Sequence, residues 1–108
     1  MAGHPMKLLT IVCESLARDV VKQLLLESGA RGYTLFRVEG SGAHGERTAE
    51  MREYGNVQFE VIVPAEVSEK LMERLETEYF HRYFMVTYEM DIRVRRAGKF
   101  RAPSKNPG

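Results

Sequence analysis

Apolar residues recur along the chain at the spacings of four β-strands. The first strand is expected at residues 7–13, where both faces are apolar, as in the central strand of a sheet. A second strand is expected at residues 33–38. Residues 57–63 alternate apolar and polar positions, and a longer alternation from residue 84 to residue 94 predicts the last strand.

Two helices are predicted between these strands. The first begins at Glu14 and Ser15 and ends at Gly29, because glycine commonly terminates helices. Pro64 fits the first turn of the second helix. Their apolar stripes repeat at three- and four-residue steps, with Ala17, Val20, Val21, Leu24, Leu25 and Ser28 in the first helix and Val67, Leu71, Leu75 and Tyr79 in the second.

The order β-α-β-loop-β-α-β predicts an α+β fold, the ferredoxin-like βαββαβ sandwich with a four-stranded antiparallel sheet. Right-handed crossovers would place both helices on one face of the sheet. The other face would then expose large apolar groups such as Phe36 and Val38, or Tyr33 and Leu35, at a cost of several kcal/mol at about 25 cal/mol per Å². Self-association removes this cost, and a homotrimer with inward-facing sheets is one closed arrangement.

Two segments far apart in the chain have the chemistry to hold a phosphate. The loop at residues 40–55 begins with Gly40 and Gly42, and glycine permits the positive φ and close approach that point backbone N–H groups at an anion. Near the end of the chain, Arg93 and Arg95 would project from one face of an extended strand, about 7 Å apart. That spacing suits a diphosphate. Together the two segments predict a binding module for a phosphorylated small molecule.

Composition argues against several classes of protein. The 108 residues carry 16 Lys and Arg against 15 Asp and Glu, a net charge of +1. A protein that coats nucleic acid by electrostatics would be far more basic, so no nucleic-acid partner is expected. The single cysteine, Cys13, excludes an internal disulfide, and its apolar strand predicts a buried, unreactive thiol.

The folded domain is expected to span residues 6–96. Residues 1–5 do not join the pattern of the first strand and are expected to be an extension of the kind that an expression vector adds. Residues 97–108, with Gly98 and two prolines, are expected to form a flexible C-terminal tail. No apolar run is long enough to span a bilayer and no signal peptide is recognised, so we expect a cytoplasmic protein rather than an integral membrane protein.

Three segments give the chain a resemblance to the PII signalling superfamily. Residues 32–42 (GYTLFRVEGSG) match the family's strand and the Gly-x-Gly at the base of its T-loop. Residues 56–64 (NVQFEVIVP) match the strand after that loop, including its glutamate, and residues 92–95 (IRVR) match the C-terminal Arg-x-Arg strand. The resemblance implies a ferredoxin-like homotrimer that binds adenine nucleotides in the clefts between subunits.

Departures from the standard pattern indicate a branch of the superfamily. Nitrogen-regulatory PII proteins have a glycine- and lysine-rich loop before the last strand, where this chain has residues 79–83 (YFHRY). The lysine that would hold a γ-phosphate is absent, so the resemblance implies ADP or AMP rather than ATP. Residues 27–34 (ESGARGYT) and 56–60 resemble the PII-like proteins of inorganic-carbon handling, which are associated with a bicarbonate transporter or with the carboxysome. The carboxysome-associated form is the preferred match, although the redox-active cysteine tail found in that branch is missing here.

The resemblance assigns the phosphate contacts to five residues. The backbone amides of Gly40, Ser41 and Gly42 would hold the α- or β-phosphate. Arg93 and Arg95 would bind the phosphates across a subunit boundary. The alternatives are a plain hairpin loop for the glycines and a solvated basic strand end for the arginines.

It assigns the remaining contacts to five others. Tyr33 and Thr34 would meet the adenine, and Glu60 would accept hydrogen bonds from the ribose hydroxyls. Arg47, and more weakly Arg96, would close over a phosphate or a bicarbonate ion. Ordinary strand or surface roles are the alternatives for all five.

Neither catalytic residues, nor metal ligands, nor a resident cofactor are predicted. No activated nucleophile or acid–base pair is identifiable, and His44 and His81 lack a second ligand at metal spacing. The resemblance implies a non-enzymatic sensor. Binding of ADP or AMP, with bicarbonate, would order the loop 40–55 into a surface for a protein partner such as a bicarbonate transporter or a carboxysome component.

Other functions compete with this one. A nitrogen-regulatory PII protein and a cyclic-AMP-binding transporter regulator belong to the same superfamily. An RNA-binding βαββαβ module belongs to another class, and it needs aromatic side chains on both central strands, which residues 8–12 lack. Acylphosphatases share the fold plan, but residues 14–17 have neither the glycines nor the arginine of their phosphate loop. The copper-tolerance trimers share it too, without a matching Cys and His pattern here.

Overall fold

The described part of the chain forms one sheet and two helices in the predicted order. The structure is a computed structural model that describes residues 3–40, 55–96, 98 and 100. Its elements are β1 (His4–Glu14), a 3₁₀ turn (Ser15–Ala17), α1 (Arg18–Glu27), β2 (Thr34–Val38), β3 (Asn56–Val63), α2 (Ala65–Arg74), a π-helical turn (Leu75–Tyr79) that continues α2, and β4 (Met85–Val94).

The sheet has the order β2-β3-β1-β4, and every neighbouring pair is antiparallel. β1 is the long central strand, with Ile11 opposite Phe59 on β3 and opposite Thr87 on β4. This arrangement confirms the ferredoxin-like fold that the element order predicts.

The first strand is longer than its apolar pattern indicates. It begins at His4, three residues before the expected start, and His4 and Pro5 pair with Val94 and Arg93 of β4. Pairing with β3 begins only at Lys7, so this end of β1 has a neighbour on one side. Proline is tolerated at such an edge position because no ladder partner needs its missing N–H. The pairing therefore extends into the segment that the sequence pattern placed outside the domain.

The core lies between the sheet and the two helices. Alternate residues of the central strands, including Leu9, Ile11, Phe59 and Val61, are fully buried beneath the helices. The helix stripes supply the other half, with Ala17, Val21, Leu24, Leu25, Leu71 and Leu75 buried and Val20, Val67 and Tyr79 packed at the margin. The predicted stripes are thus confirmed, and they fix which face of the sheet is covered.

The ends of the helices are held by local contacts. Gly29 follows α1 with a φ of +89°, in the left-handed region where glycine carries no steric penalty. Arg74, at the end of α2, donates to Glu78 from Nε (2.8 Å) and to Glu27 of α1 from one terminal nitrogen (3.1 Å). These bonds to Arg74 join the C-terminal ends of the two helices.

Candidate functional site

The sheet face that points away from the helices contains a polar row beside a fully apolar one. This surface, called here the open face, comprises the alternate residues Leu8, Thr10 and Val12 of β1, Thr34 and Phe36 of β2, Gln58, Glu60 and Ile62 of β3, and Val86, Tyr88 and Met90 of β4. In register across it, Thr34 pairs with Glu60, Glu60 with Thr10, and Thr10 with Tyr88. The neighbouring row of Ile62, Leu8 and Met90 is apolar throughout.

Thr34 and Glu60 are brought together by the pairing of β2 with β3. Directly opposed residues of an antiparallel pair have Cβ atoms about 5 Å apart, so one small ligand group can reach both side chains. Glu60 is half-buried, and Gln58 Nε2 donates to its Oε2 at 3.4 Å. A carboxylate offers only acceptors, which suits the hydroxyl groups of a sugar.

Tyr33 lies on the other side of the strand from Thr34. Its ring packs edge-on against the buried ring of Phe59, with centroids 5.4 Å apart and planes at 64°. Phe59 belongs to the core face of β3, so Tyr33 is anchored on the helix side while remaining 43% exposed. The two residues expected to meet one base therefore face opposite directions within a single chain.

Of the loop residues predicted to bind phosphate or bicarbonate, Gly40 is described, and Ser41, Gly42 and Arg47 lie outside the described residues. Gly40 is exposed, and its φ is not in the positive region, which among the described glycines only Gly29 and Gly55 adopt. Gly40 therefore does not adopt the positive φ that glycine permits. A Cβ added to Gly40 would have no atom within 4 Å, so open space leaves its backbone accessible instead.

The loop 40–55 ends at Gly55, which has a φ of +72°. A backbone hydrogen bond from the residue that follows β1 holds Gly55 in place. The Ser15 N–H donates to the carbonyl of Gly55 at 3.0 Å. The adjacent Glu14 is only 6% exposed, and its Oε2 accepts the backbone N–H of Phe84 at 2.9 Å. The sequence pattern missed this function of Glu14, although a carboxylate at the end of an apolar strand is a signal that it has a specific partner.

The C-terminal arginines lie on the edge strand β4 and just beyond it. Arg93 pairs with Pro5, and Arg93, Arg95 and Arg96 are all exposed. The chain also packs closely at this point, because a Cβ added to Gly3 would lie 2.8 Å from the Cβ of Arg93. A larger residue at position 3 would displace Arg93, which gives the N-terminal segment a part in positioning it.

One chain does not bring the two phosphate-binding segments together. β2 and β4 are opposite edges of the sheet, three strand spacings or about 14 Å apart. Along the strands, Val38 lies level with Glu14, whereas Arg93 lies level with Pro5, a further separation of about 30 Å at 3.3 Å per residue. Gly40 and the arginines occupy diagonally opposite corners, so they can share a ligand only across two chains.

The remaining candidate groups are dispersed. His81 is exposed, and the described residues contain no group of three or more His, Cys, Asp and Glu side chains that could hold a metal ion. Beside it, the Arg82 guanidinium lies 5.7 Å from the centroid of the Tyr83 ring, a cation–π contact. Within the described ranges no helix is both long and apolar enough to cross a membrane.

Comparison with known proteins identifies a family for this arrangement. Residues 6–99 match the model of the family described as Nitrogen regulatory protein P-II. A protein of Thermus thermophilus, described as a PII-like signalling protein, is 36% identical with a TM-score of 0.78, and the match covers 93% of this chain and 99% of that one. The resemblance inferred from the sequence segments is thereby confirmed.

Two structures of CPII from Thiomonas intermedia K12 are also similar over nearly their whole length. The one bound to ADP, AMP and acetate is 27% identical with a TM-score of 0.81, covering 94% of this chain and 100% of that one. The one bound to ADP and bicarbonate is 29% identical with a TM-score of 0.79, covering 91% and 96%.

Proposed function

We propose that this chain, which belongs to the nitrogen regulatory protein P-II family, is a regulator that binds ADP or AMP, together with bicarbonate, between the subunits of a homotrimer. The observation that carries the proposal is the end-to-end similarity to CPII, whose structures hold ADP, AMP and bicarbonate. The ligand is assigned here by that similarity and by the chemistry of the residues at the two corners of the sheet.

The phosphates would be held from both sides of a subunit boundary. The backbone N–H groups of Gly40, Ser41 and Gly42 would point at them from one chain, and Arg93 and Arg95 would bind them from the next. The placement of these segments at opposite corners of one sheet supports a site completed by a neighbour, since a single chain cannot close it. Guanidinium groups bind phosphate through paired, charge-assisted hydrogen bonds.

The nucleoside would lie against the polar row of the open face. Glu60, already oriented by Gln58, would accept from the ribose hydroxyls, and Thr34 beside it would hydrogen-bond the adenine. Tyr33 would contact the base from the helix side of its strand, in a cleft whose other wall is a second chain. Arg47, with Arg96 as the weaker candidate, would hold bicarbonate or a phosphate oxygen.

The homotrimer would cover the large apolar and aromatic side chains of the open face. Val86, Tyr88 and Met90 are 62%, 47% and 55% exposed in the single chain, as is Phe36 at 39%. Monomeric proteins seldom leave a contiguous patch of this kind in water. Further copies of the same face are the simplest cover, because a closed symmetric assembly buries it on every chain.

Signalling would proceed through the loop 40–55 without catalysis. Ligand binding at Gly40, Ser41 and Gly42 would select one loop arrangement, which a partner such as a bicarbonate transporter or a carboxysome component would then recognise. We place the protein on this basis in inorganic-carbon metabolism, in the cytoplasm or associated with a carboxysome. The RNA-binding alternative is not favoured, because the open-face residues of the central strands β1 and β3 are not aromatic.

Calorimetry on an Arg93→Glu variant tests the phosphate site. Loss of charge-assisted hydrogen bonds worth about 1.5–3 kcal/mol each, with added repulsion, should weaken ADP binding by at least about tenfold. Arg18→Glu, an exposed charge reversal at the start of α1, is the matched control and should bind ADP normally. Both variants should sediment like the unaltered protein.

The same titration separates the competing functions. ADP affinity that is unchanged in Arg93→Glu would contradict the assignment of this arginine. Equal ADP affinity with and without bicarbonate would remove bicarbonate from the proposal, because coupled ligands must alter each other's binding. Micromolar binding of single-stranded RNA in the absence of ADP binding would support the RNA-binding module instead.

A further inference from the structure

A groove with an acidic rim runs along the helix side of the protein, away from the open face. It lies between α2 and the strands β1 and β4 and has a volume of about 620 Å³. Met72 and Ala65 supply apolar surface. The charged residues that line it are Lys7, Glu69, Glu73, Glu76 and Glu89.

Among the described residues that line this groove, the one cation is already neutralised. Lys7 Nζ lies 2.5 Å from Asp91 Oδ1 and 3.8 Å from Glu89 Oε1, and the hydrogen bond to Asp91 raises the pKa of the lysine. Glu89 also accepts the buried hydroxyl of Ser68.

That leaves the three glutamates of α2 and its continuation, which are Glu69, Glu73 and Glu76. Within the described residues, no lysine, arginine or histidine forms an ion pair with any of them. The groove therefore combines the apolar surface of Met72 and Ala65 with unneutralised negative charge, a combination that suits a basic peptide segment.

We propose that the C-terminal segment at residues 101–108 of the same chain docks in this groove. After Asp91 the sequence contains no acidic residue, and its six cations are Arg93, Arg95, Arg96, Lys99, Arg101 and Lys105. The end of the chain is therefore basic, whereas residues 66–78 carry five glutamates against two cations.

The position of the last described residues favours this occupant. The strand β4, which borders the groove, ends at Val94. Glu89, which lines the groove, precedes Val94 by five residues, so the two lie about 17 Å apart along the strand. Phe100 is half-buried, so its side chain packs against the domain. The eleven residues from Arg95 to Lys105 span up to about 36 Å when extended, which exceeds the distance along the strand from Val94 back to Glu89.

Attachment to the same chain makes weak ion pairs sufficient. Exposed pairs contribute only about 0.2–1 kcal/mol each, but a short tether provides an effective concentration in the millimolar range. In an extended segment Arg101 and Lys105 would lie about 13 Å apart, close to the rise of about 10 Å between Glu69 and Glu76 on the helix. This docking is independent of nucleotide binding, and it replaces the flexible tail expected from composition with one held by charge at low salt.

Zero-length carbodiimide cross-linking of the full-length protein tests the contact. The reagent joins an amine to a carboxylate only when the two are in direct contact, so Lys105 should couple to Glu69, Glu73 or Glu76 within one chain. Glu66, exposed on the same helix but outside the groove, is the internal control and should not couple. High salt should reduce the yield severalfold.

Charge exchange distinguishes docking from chance proximity. Glu73→Lys should remove most of the cross-link to position 105, whereas Glu66→Lys should leave it unchanged. Combining Glu73→Lys with Lys105→Glu should restore a link between positions 73 and 105.

Three outcomes would overturn the proposal. They are coupling to Glu66 as often as to the groove, the absence of any link from Lys105, and links found only between two chains in a band of doubled mass. The last outcome would assign the groove to the tail of a second copy.

Discussion

Replacing Met90 with lysine tests whether further copies of the chain cover the open face. Met90 is 55% exposed in the single chain and lies in the apolar row with Leu8 and Ile62. Complete burial of such a side chain is worth about 1.5–3 kcal/mol, so covering its exposed half contributes about 1 kcal/mol per chain. Lysine forfeits that contribution and brings an ammonium group whose burial without a partner costs several kcal/mol more.

The effect should appear in assembly and not in folding. In an isolated chain the lysine can keep its ammonium group in water, so the free energy of unfolding should change by less than about 0.5 kcal/mol. Between packed sheets the penalty recurs in every chain, and each 1.4 kcal/mol weakens association about tenfold. We therefore expect Met90→Lys to sediment as a folded monomer at concentrations where the unaltered protein forms the proposed trimer.

Leu26→Lys is the matched control for this experiment. Leu26 is 71% exposed on α1, on the opposite side of the molecule, so the substitution makes the same kind of chemical change outside the open face. Sedimentation velocity, with circular dichroism to check folding, should show an intact assembly for this variant. A Met90→Lys protein that sediments like the unaltered one would refute the reasoning, as would a monomeric unaltered protein.

Three further predictions concern the folded chain. Leu71→Ala should lower the free energy of unfolding in urea by about 2–5 kcal/mol, since Leu71 is completely buried and its removal leaves a cavity. Burial raises the pKa of the Cys13 thiol to about 12, so the native protein should resist thiol reagents at pH 8 and react only after denaturation; rapid native labelling would argue against this burial. The pKa of Glu27 is lowered by hydrogen bonds, first from Gln23 and then from Arg74, and the pKa of Glu78 is lowered by its hydrogen bond from Arg74. Both carboxylates therefore stabilise the folded protein at neutral pH, and this stability is lost as the pH falls below about 4.5. Arg74→Met should make stability less dependent on pH in this acid range, as measured by thermal unfolding, and an unaltered pH profile would contradict that role.

The fold was largely predictable because its elements depend on local periodicity. Apolar residues at helical spacing identified the buried stripes of α1 and α2, and alternation identified β3 and β4. The start of β1 was not predictable in this way. His4 and Pro5 are exposed and show no apolar pattern, and they are extended because β4 provides hydrogen-bond partners at a distance of about ninety residues along the chain.

The candidate site was predictable only in part, because residue types are local and their placement is not. The sequence identified Arg93, Arg95 and Glu60 as groups with suitable chemistry. It carried no signal for the edge-on packing of Tyr33 on Phe59. The sequence also could not show whether Gly40 adopts a positive φ, because glycine tolerates both signs of φ, and in the structure the φ of Gly40 is not positive.

By itself the sequence determined the strands, the helices and the face of each that avoids water, since these follow from side-chain spacing within a few residues. The tertiary structure alone decided the pairing of Thr34 with Glu60 and the separation of Gly40 from Arg93 across the sheet. The pairing and the separation both follow from the strand order and register of the sheet. These are fixed when the helices cover one face, because only one register places the apolar side chains of every strand beneath them. The same strand order leaves a patch of apolar side chains in water on the open face of the single chain.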